Sequence, residues 1–187
     1  LLEDMKDEFP DRHDMEGVSE ANFVGMAAGM AMDGFVPYIN TIATFLTRRC
    51  YEQVAVDLCM HNLPVRLIAN GGGLVYAPLG PTHVAIEDIA IMRALPNMTV
   101  IVPADAEEMK RFMDVSLNVP GPIYIRMAKG GDPVVTREAD GFEIGQAYNL
   151  REEAGGHGNR VLMVTTGLVT GQGLTDGNNL AHEGLGV

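Results

Sequence analysis

The sequence is short of cysteine, of basic residues and of long apolar runs, and each shortage excludes something. Only two cysteines, Cys50 and Cys59, occur among 187 residues. Both fall in one segment that reads as a helix, about 13 Å apart along its axis. That separation is too large for a mutual disulfide, and a reduced, cytoplasmic setting is expected. The five histidines and two cysteines form no cluster at ligand spacing, so no metal site is predicted. Acids outnumber bases 25 to 13 and the net charge is −12, which argues against nucleic acid or an anionic membrane surface as partners. No apolar run approaches the roughly 18 residues of a membrane helix. The acidic start of the chain, Leu1 to Glu8, has no signal-peptide core. Internal repeats and low-complexity tracts are also missing. What is present is ordinary for a globular domain: 47% hydrophobic and 20% charged residues, enough for one domain with a real core.

The most informative stretch runs from Gly17 to Ala31, Gly-Val-Ser-Glu-Ala-Asn-Phe-Val-Gly-Met-Ala-Ala-Gly-Met-Ala. Its one ionisable residue is Glu20. Ser19 is placed to cap a helix and Gly34 to stop it. Phe23, Val24, Ala27, Ala28 and Ala31 recur at helical spacing and predict a buried face. Gly25, Ala28 and Gly29 leave so little side chain that a second backbone or a flat ligand could approach closely. Glu20 sits at the positive end of the helix dipole. It is either a first-turn acid serving that dipole or a carboxylate with a chemical task.

In chain order, residues 1–16 read as a short polar helix and a turn, and residues 20–33 as the helix just described. A strand is predicted over 35–40, a helix over 44–61, a strand over 65–69 and a Gly/Pro-rich loop over 71–83. A helix over 85–95, a strand over 98–102, a helix over 105–117 and a strand over 122–127 follow. This alternation predicts an α/β fold, a parallel sheet with helices on both faces. Ligands in such sheets gather at the loops beyond the strand C-terminal ends. Residues 128–159, rich in Gly, Glu and Asp, read as a linker with a minor strand near 142–147. A new strand over 160–165 and a helix to Val187 are too small to close a core alone; they either open a further domain or pack on the first domain or on a partner.

Several side chains invite a chemical reading beside a plain one. Phe45, at a helix start, is a core aromatic or a ring that stacks on a flat heterocycle. Arg48 and Arg49 are solvated charges or ligand contacts. His83 closes Gly80-Pro81-Thr82-His83 and either caps a helix or points into the inter-strand crevice. His13, His61, His157 and His182 read as structural or exposed. Gly71-Gly72-Gly73 suggests a phosphate loop but lacks the spacing of one. Lys129, after a strand and before Gly130-Gly131, is a solvated lysine or an anion ligand.

Taken together, Val18–Gly29, Ala43–Arg48, Gly80–His83 and Leu95–Met98 resemble the pyrimidine-binding domain of transketolase, in order and at family spacing, over roughly residues 8–135. The similarity extends to deoxyxylulose-phosphate synthase and to split transketolases whose second half is a separate chain. The resemblance implies a pyrimidine-binding domain over 1–135, a linker over 136–159 and the opening of the family's C-terminal domain over 160–187. It also implies a thiamine diphosphate cofactor and transfer of a two-carbon ketol unit between sugars.

Glu20 aligns with the glutamate that hydrogen-bonds N1′ of the aminopyrimidine, and Phe45 with the aromatic that stacks on that ring. Arg48 follows Phe45 as in the synthase branch. His83 aligns with the histidine facing the substrate carbonyl, and Lys129 falls where the family binds a sugar phosphate. Two positions depart from the pattern. Leu79 stands where the family has an aspartate for a substrate hydroxyl, and Gly71 or Gly72 where it has a second phosphate ligand. The Gly-Asp-Gly and Asn that hold the cofactor's magnesium are missing, since Thr175-Asp176-Gly177-Asn178 lacks the leading glycine and the spacing. A diphosphate-binding partner chain is therefore expected to supply them, in a homodimer or heterotetramer with the active site between chains. Two alternatives stand beside this reading. One is the beta chain of a 2-oxo-acid dehydrogenase, which shares the form of Ser19–Gly25. The other is a transketolase-like domain without turnover.

Overall fold

The computed structural model describes residues 2–152 and 158–187. His157 lies outside them. Four parallel strands form one sheet: β1 (Tyr38–Ile42), β2 (Arg66–Asn70), β3 (Thr99–Ile101) and β4 (Ile123–Arg126). Their order is β1-β2-β4-β3, and every pairing is parallel. The predicted α/β class is the observed one. The first strand starts three residues later than its sequence suggests; Phe35–Pro37 follow the turn at Asp33–Gly34 as irregular chain, and Pro37 lacks an N–H for the ladder. The carbonyl of Pro37 nevertheless accepts from Arg66 N and opens the β1–β2 pairing.

Side chains of β2 and β4 alternate between two apolar layers, as strand geometry requires. Leu67, Ala69 and Tyr124 pack with Val24, Ala27, Ala28, Leu46, Val54 and Leu58 on one face. Ile123 and Ile125 pack with Phe112, Met109 and Met113 on the other. Helices α2 (Glu20–Met32), α3 (Ala43–Thr47), α4 (Tyr51–Gln53) and α5 (Asp88–Met92) therefore cover the first face. Helix α6 (Ala106–Ser116) covers the second. The other α-helices among the described residues are α1 (Leu2–Glu8) and α7 (Thr170–His182). Among the described residues no helix is long and apolar enough to cross a membrane.

Helix α2 buries Glu20, Val24, Ala27, Ala28 and Ala31, a single stripe whose first member is the acid. Phe23 is half-buried against the same core. Gly34, at φ 94°, turns the chain after the helix, a conformation open to glycine without strain. Ser19 occupies the cap position but caps nothing. Its hydroxyl donates backward to the carbonyl of Glu16 at 2.9 Å.

The predicted helix over 44–61 is broken. Helix α3 ends at Thr47, and Arg48, Arg49 and Cys50 form a turn before α4, which runs into a π-helical turn at Val54–Cys59. π-turns insert an extra residue and re-aim the side chains before them. Both cysteines are fully buried and free. Burial pushes the Cys50 thiol up to about 12, with nearby Glu20 adding to it, and the Cys59 thiol up to about 11.

Two more expectations fail. Residues 142–147 form no strand. Phe142 and Ile144 instead pack as loop residues against the α6 face. Residues 160–165 form no strand, apart from a bridge between Arg160 and Gly186.

Two buried polar groups anchor the two ends of α6. Arg66, fully buried, donates to the carbonyls of Ser116 (2.9 Å), Gly121 (2.7 Å) and Val119 (2.6 Å), closing the α6–β4 connection. Asp105 caps α6 by accepting from Glu108 N at 2.9 Å. It also accepts from Val135 N and Thr136 N at 2.7 Å each, and from the Thr136 hydroxyl at 2.8 Å. Burial opposes ionisation of Asp105, but these donors outweigh it and hold its carboxyl below the usual range. Asp105→Ala is expected to lower the unfolding free energy by about 2–4 kcal/mol in a urea titration at neutral pH. Because the folded carboxyl titrates below its unfolded value, the stabilisation is complete above that value and is lost as pH falls through the folded one. The gap between wild type and variant should therefore narrow below about pH 4.

Candidate functional site

The crevice lies beyond the C-terminal ends of β1 and β2. The first strand delivers α3, which carries Phe45, and then the turn that carries Arg48 and Arg49. The second delivers the 71–87 loop, which carries His83 and Glu87. Helix α2 brings Glu20 from a third direction.

The geometry converges on Phe45. The His83 ring meets it edge-on, with centroids 5.2 Å apart and planes at 67°. The Arg49 guanidinium lies over the Phe45 ring, 3.7 Å from its centroid. The same guanidinium donates from one nitrogen to both Glu20 oxygens, at 3.3 and 3.4 Å. Glu20 is only 7% exposed, whereas the Arg49 side chain is 45% exposed. The ion pair therefore stands at the mouth of the crevice and is not sealed in the interior. Cys50 follows directly, its thiol donating to the Phe45 carbonyl at 2.9 Å, which fixes the turn.

Arg48 points the other way. It pairs with Glu87 through two nitrogens, one to each carboxylate oxygen, and donates to the Pro81 carbonyl at 2.7 Å. The Arg48 guanidinium holds the Glu87 carboxyl below its usual range, and Glu87 raises Arg48 in return. Thr44 donates to the Thr82 carbonyl at 2.9 Å. The tip of the Gly80–His83 turn is thus fastened to α3 through Thr44 and to the turn after α3 through Arg48. Nδ1 of His83 is engaged by the Thr82 hydroxyl at 2.9 Å. A cavity of about 340 Å³ opens here, lined by Thr44, Arg48, Arg49, Pro81 and Thr82.

Of the residues singled out from sequence, Glu20, Phe45 and His83 are brought together, and Arg48 stands on their rim. Lys129 is not in this group: its ammonium lies 6.0 Å from the ring centroid of Tyr76, on the flank of the 71–79 segment. Leu79 ends a 3-10 turn and is 57% exposed. The residue that sequence reasoning passed over is Arg49. It looked like one of two equivalent helical charges, and only the break after Thr47 separates their directions.

The glycines of the 71–73 run have a packing role. A Cβ on Gly72 would sit 2.6–2.7 Å from the Arg126 side chain, and one on Gly71 about 2 Å from the Tyr76 ring. Arg126 passes beneath this loop to Asp88, with Nε 2.7 Å from Oδ2, and donates to the Ala85 carbonyl. Tyr124 donates to the same Asp88 oxygen at 2.8 Å. Burial, then Asp88, pushes the Tyr124 phenol far above its ordinary value, so it stays protonated as a donor. Gly73 and Ala85 exchange backbone hydrogen bonds, which close the base of the loop. The Asp88 knot therefore sets the height at which the loop presents His83.

Known proteins resemble this chain over most of its length. Residues 3–131 match the family described as transketolase, pyrimidine binding domain. The chain is 33% identical, over 171 residues, to a 6-deoxy-6-sulfo-D-fructose transketolase subunit of Clostridium sp. (strain MSTE9), covering 91% of this chain and 52% of that protein. It is 34% identical, over 180 residues, to one of the subunits of an apulose-4-phosphate transketolase of Actinobacillus succinogenes, covering 96% and 56%. A split-gene transketolase, solved as an inactive β4 tetramer, superposes with a TM-score of 0.84 at 33% identity, covering 98% of this chain and 58% of that one. The chain thus spans about half the length of the curated relatives it matches.

Asp88→Ala would leave the Arg126 guanidinium and the Tyr124 hydroxyl without their buried partner. It is expected to cost about 3–5 kcal/mol of stability by denaturant titration. Asp88→Asn, which keeps the shape and one acceptor, should cost less.

Proposed function

Because the chain belongs to the transketolase pyrimidine-binding domain family, we propose that it forms the pyrimidine side of a thiamine-diphosphate-dependent active site that transfers a two-carbon ketol unit between sugars or sugar phosphates. One observation carries the reading. A flat cation lies over the Phe45 ring and donates to both Glu20 oxygens, and those two surfaces are the ones an aminopyrimidine needs. The residues present therefore fit the group.

Thiamine diphosphate, when bound, would supply the acidic thiazolium carbon that makes and breaks bonds beside a carbonyl. The chain's own residues would do the rest. Glu20 would hold a proton at the pyrimidine N1′ edge, from a site that water barely reaches. Phe45 would orient the ring by stacking. His83, with Nδ1 engaged by Thr82, would offer its other ring nitrogen to a substrate hydroxyl. Arg48 would keep the rim charged, and Lys129 would take the distal anionic end of a phosphorylated substrate.

The diphosphate and its magnesium are assigned to a partner chain, in a homodimer or heterotetramer. Two features support this. The solvent side of α2 exposes Met26 and Met30, and Gly25 and Gly29 beside them have open space above. The split-gene relative, inactive as a β4 tetramer, is what a chain lacking its diphosphate-binding partner would give. The division into 1–135, 136–159 and 160–187 belongs to the same proposal. A domain without turnover is the second reading, and exposed Leu79, where the family pattern has an aspartate, favours it.

Glu20→Gln in the enzyme reconstituted with its co-purifying partner separates the two. Ketol transfer should fall by about 10²–10⁴ while sedimentation shows the complex still assembled. An unchanged rate would select the non-catalytic reading. Titration calorimetry of the chain alone should show weak uptake of thiamine diphosphate with magnesium, and tight uptake only after the partner is added. Tight binding by the lone chain would overturn the shared site.

A further inference from the structure

Arg49 touches both walls of the slot that the proposed function gives to the pyrimidine. Its planar guanidinium covers Phe45 at stacking distance, 3.7 Å from the ring centroid. One nitrogen spans both oxygens of Glu20. A pyrimidine seated on that ring face, with a ring nitrogen at that carboxylate, would need the same two surfaces. The two occupants exclude each other.

We propose that Arg49 is a built-in stand-in for the pyrimidine, which holds the slot until the cofactor displaces it. The proposal rests on the reading of Glu20 and Phe45 given above, and three observations support it.

The first is the energetics of Glu20. A carboxylate only 7% exposed is costly to leave without a charged or hydrogen-bonding partner. Arg49 meets that need, and an aminopyrimidine edge would meet it in turn. The second is mobility of attachment. Arg49 stands in the turn between α3 and α4, with 45% of its side chain exposed. Among the described residues, its guanidinium is held by the carboxylate and the ring. Both hydrogen bonds to Glu20 are long by the standards of a tight ion pair, since charge-assisted N–H···O bonds are commonly about 2.7–2.9 Å. The third is the contrast with Arg48. That neighbour is bound to two Glu87 oxygens and to the Pro81 carbonyl, so it stays while Arg49 swings. The cavity of about 340 Å³ bordered by both arginines gives the released guanidinium somewhere to go.

The consequence is an exchange: cofactor affinity is the affinity of the ring for the slot, less that of Arg49 for the same slot. Removing Arg49 should therefore tighten binding of the pyrimidine moiety, which is opposite to the effect of removing a ligand.

The test uses the full chain and free thiamine as the probe, followed by nuclear magnetic resonance. In wild type, the Arg49 side-chain signals should carry the upfield ring-current shift of Phe45 and lose it in Phe45→Leu. Thiamine should move the Phe45 ring signals and return those of Arg49 to solvent values. Arg49→Ala should bind thiamine about tenfold more tightly than wild type, with Arg49→Met similar; Arg49→Lys, which keeps the charge without the flat face, should lie between. Equal affinity in wild type and Arg49→Ala, or weaker binding in the variant, would overturn the stand-in while leaving the slot intact. If thiamine moves no Phe45 signal in any of these chains, nor thiamine diphosphate in the complex with the co-purified partner, the pyrimidine slot itself is wrong and the stand-in falls with it. Should Arg49→Ala fail to fold, the wild-type signals and the two other variants still decide the matter.

Discussion

Two guanidinium groups, adjacent in the chain and turned apart, hold the crevice together. Arg48 reaches the loop that follows β2, through Glu87 and Pro81, and Arg49 reaches the start of α2, through Glu20. Two segments remote in sequence are thereby fastened to the one turn after α3. The divergence depends on the break in the helix after Thr47. In an unbroken α-helix, consecutive side chains point about 100° apart, and their directions would be set by the helix axis alone. In the turn each can choose its own carboxylate. The fully buried Cys50, bonded back to the Phe45 carbonyl, anchors that turn against the core.

Beneath this arrangement lies a second constraint, the parallel sheet. Parallel strands need crossover connections, so the loops after β1 and β2 open at the same sheet edge. That is why a ring, an imidazole and two arginines from separate loops can meet. The Asp88, Tyr124 and Arg126 knot then fixes the loop that bears His83. It joins α5 to β4 under a glycine run that leaves space for the Arg126 side chain. The apolar core stabilises the layers, while the buried polar groups set how the loops sit on them.

Glu20 shows how one residue serves both levels. It is the first member of the stripe that α2 packs against the sheet, yet its carboxylate faces outward to the crevice mouth. Its ion pair with Arg49 is half in solvent. It thus differs from a sealed structural bridge, where removing a partner chiefly unfolds the protein. A carboxylate dry on one side and bordered by a removable cation on the other is suited to receive a flat ring.

Much of this was legible in the amino acids themselves. Alternating apolar runs and helical periodicities specify a parallel α/β layer, because burial on both faces leaves few other solutions. The apolar stripe from Val24 to Ala31 and the stop at Gly34 follow from local rules. For Glu20, Phe45 and His83 local rules leave a plain reading beside the chemical one, and it is the resemblance to the transketolase domain that selects the chemical one. Periodicity could not show that the helix after Phe45 breaks, that Ser19 bonds backward instead of capping, or that residues 142–147 and 160–165 join no sheet. Those outcomes depend on what lies alongside each segment. A strand needs a neighbour with free backbone groups, and a guanidinium needs a carboxylate within reach. Which of two adjacent arginines would lie on Phe45 was likewise decided only when the folded chain brought Glu20 within reach of Arg49 and Glu87 within reach of Arg48. Sequence alone sets which groups are present and which faces must be dry, through local geometry and the hydrophobic effect. Contacts between groups far apart in the chain come only from the tertiary structure.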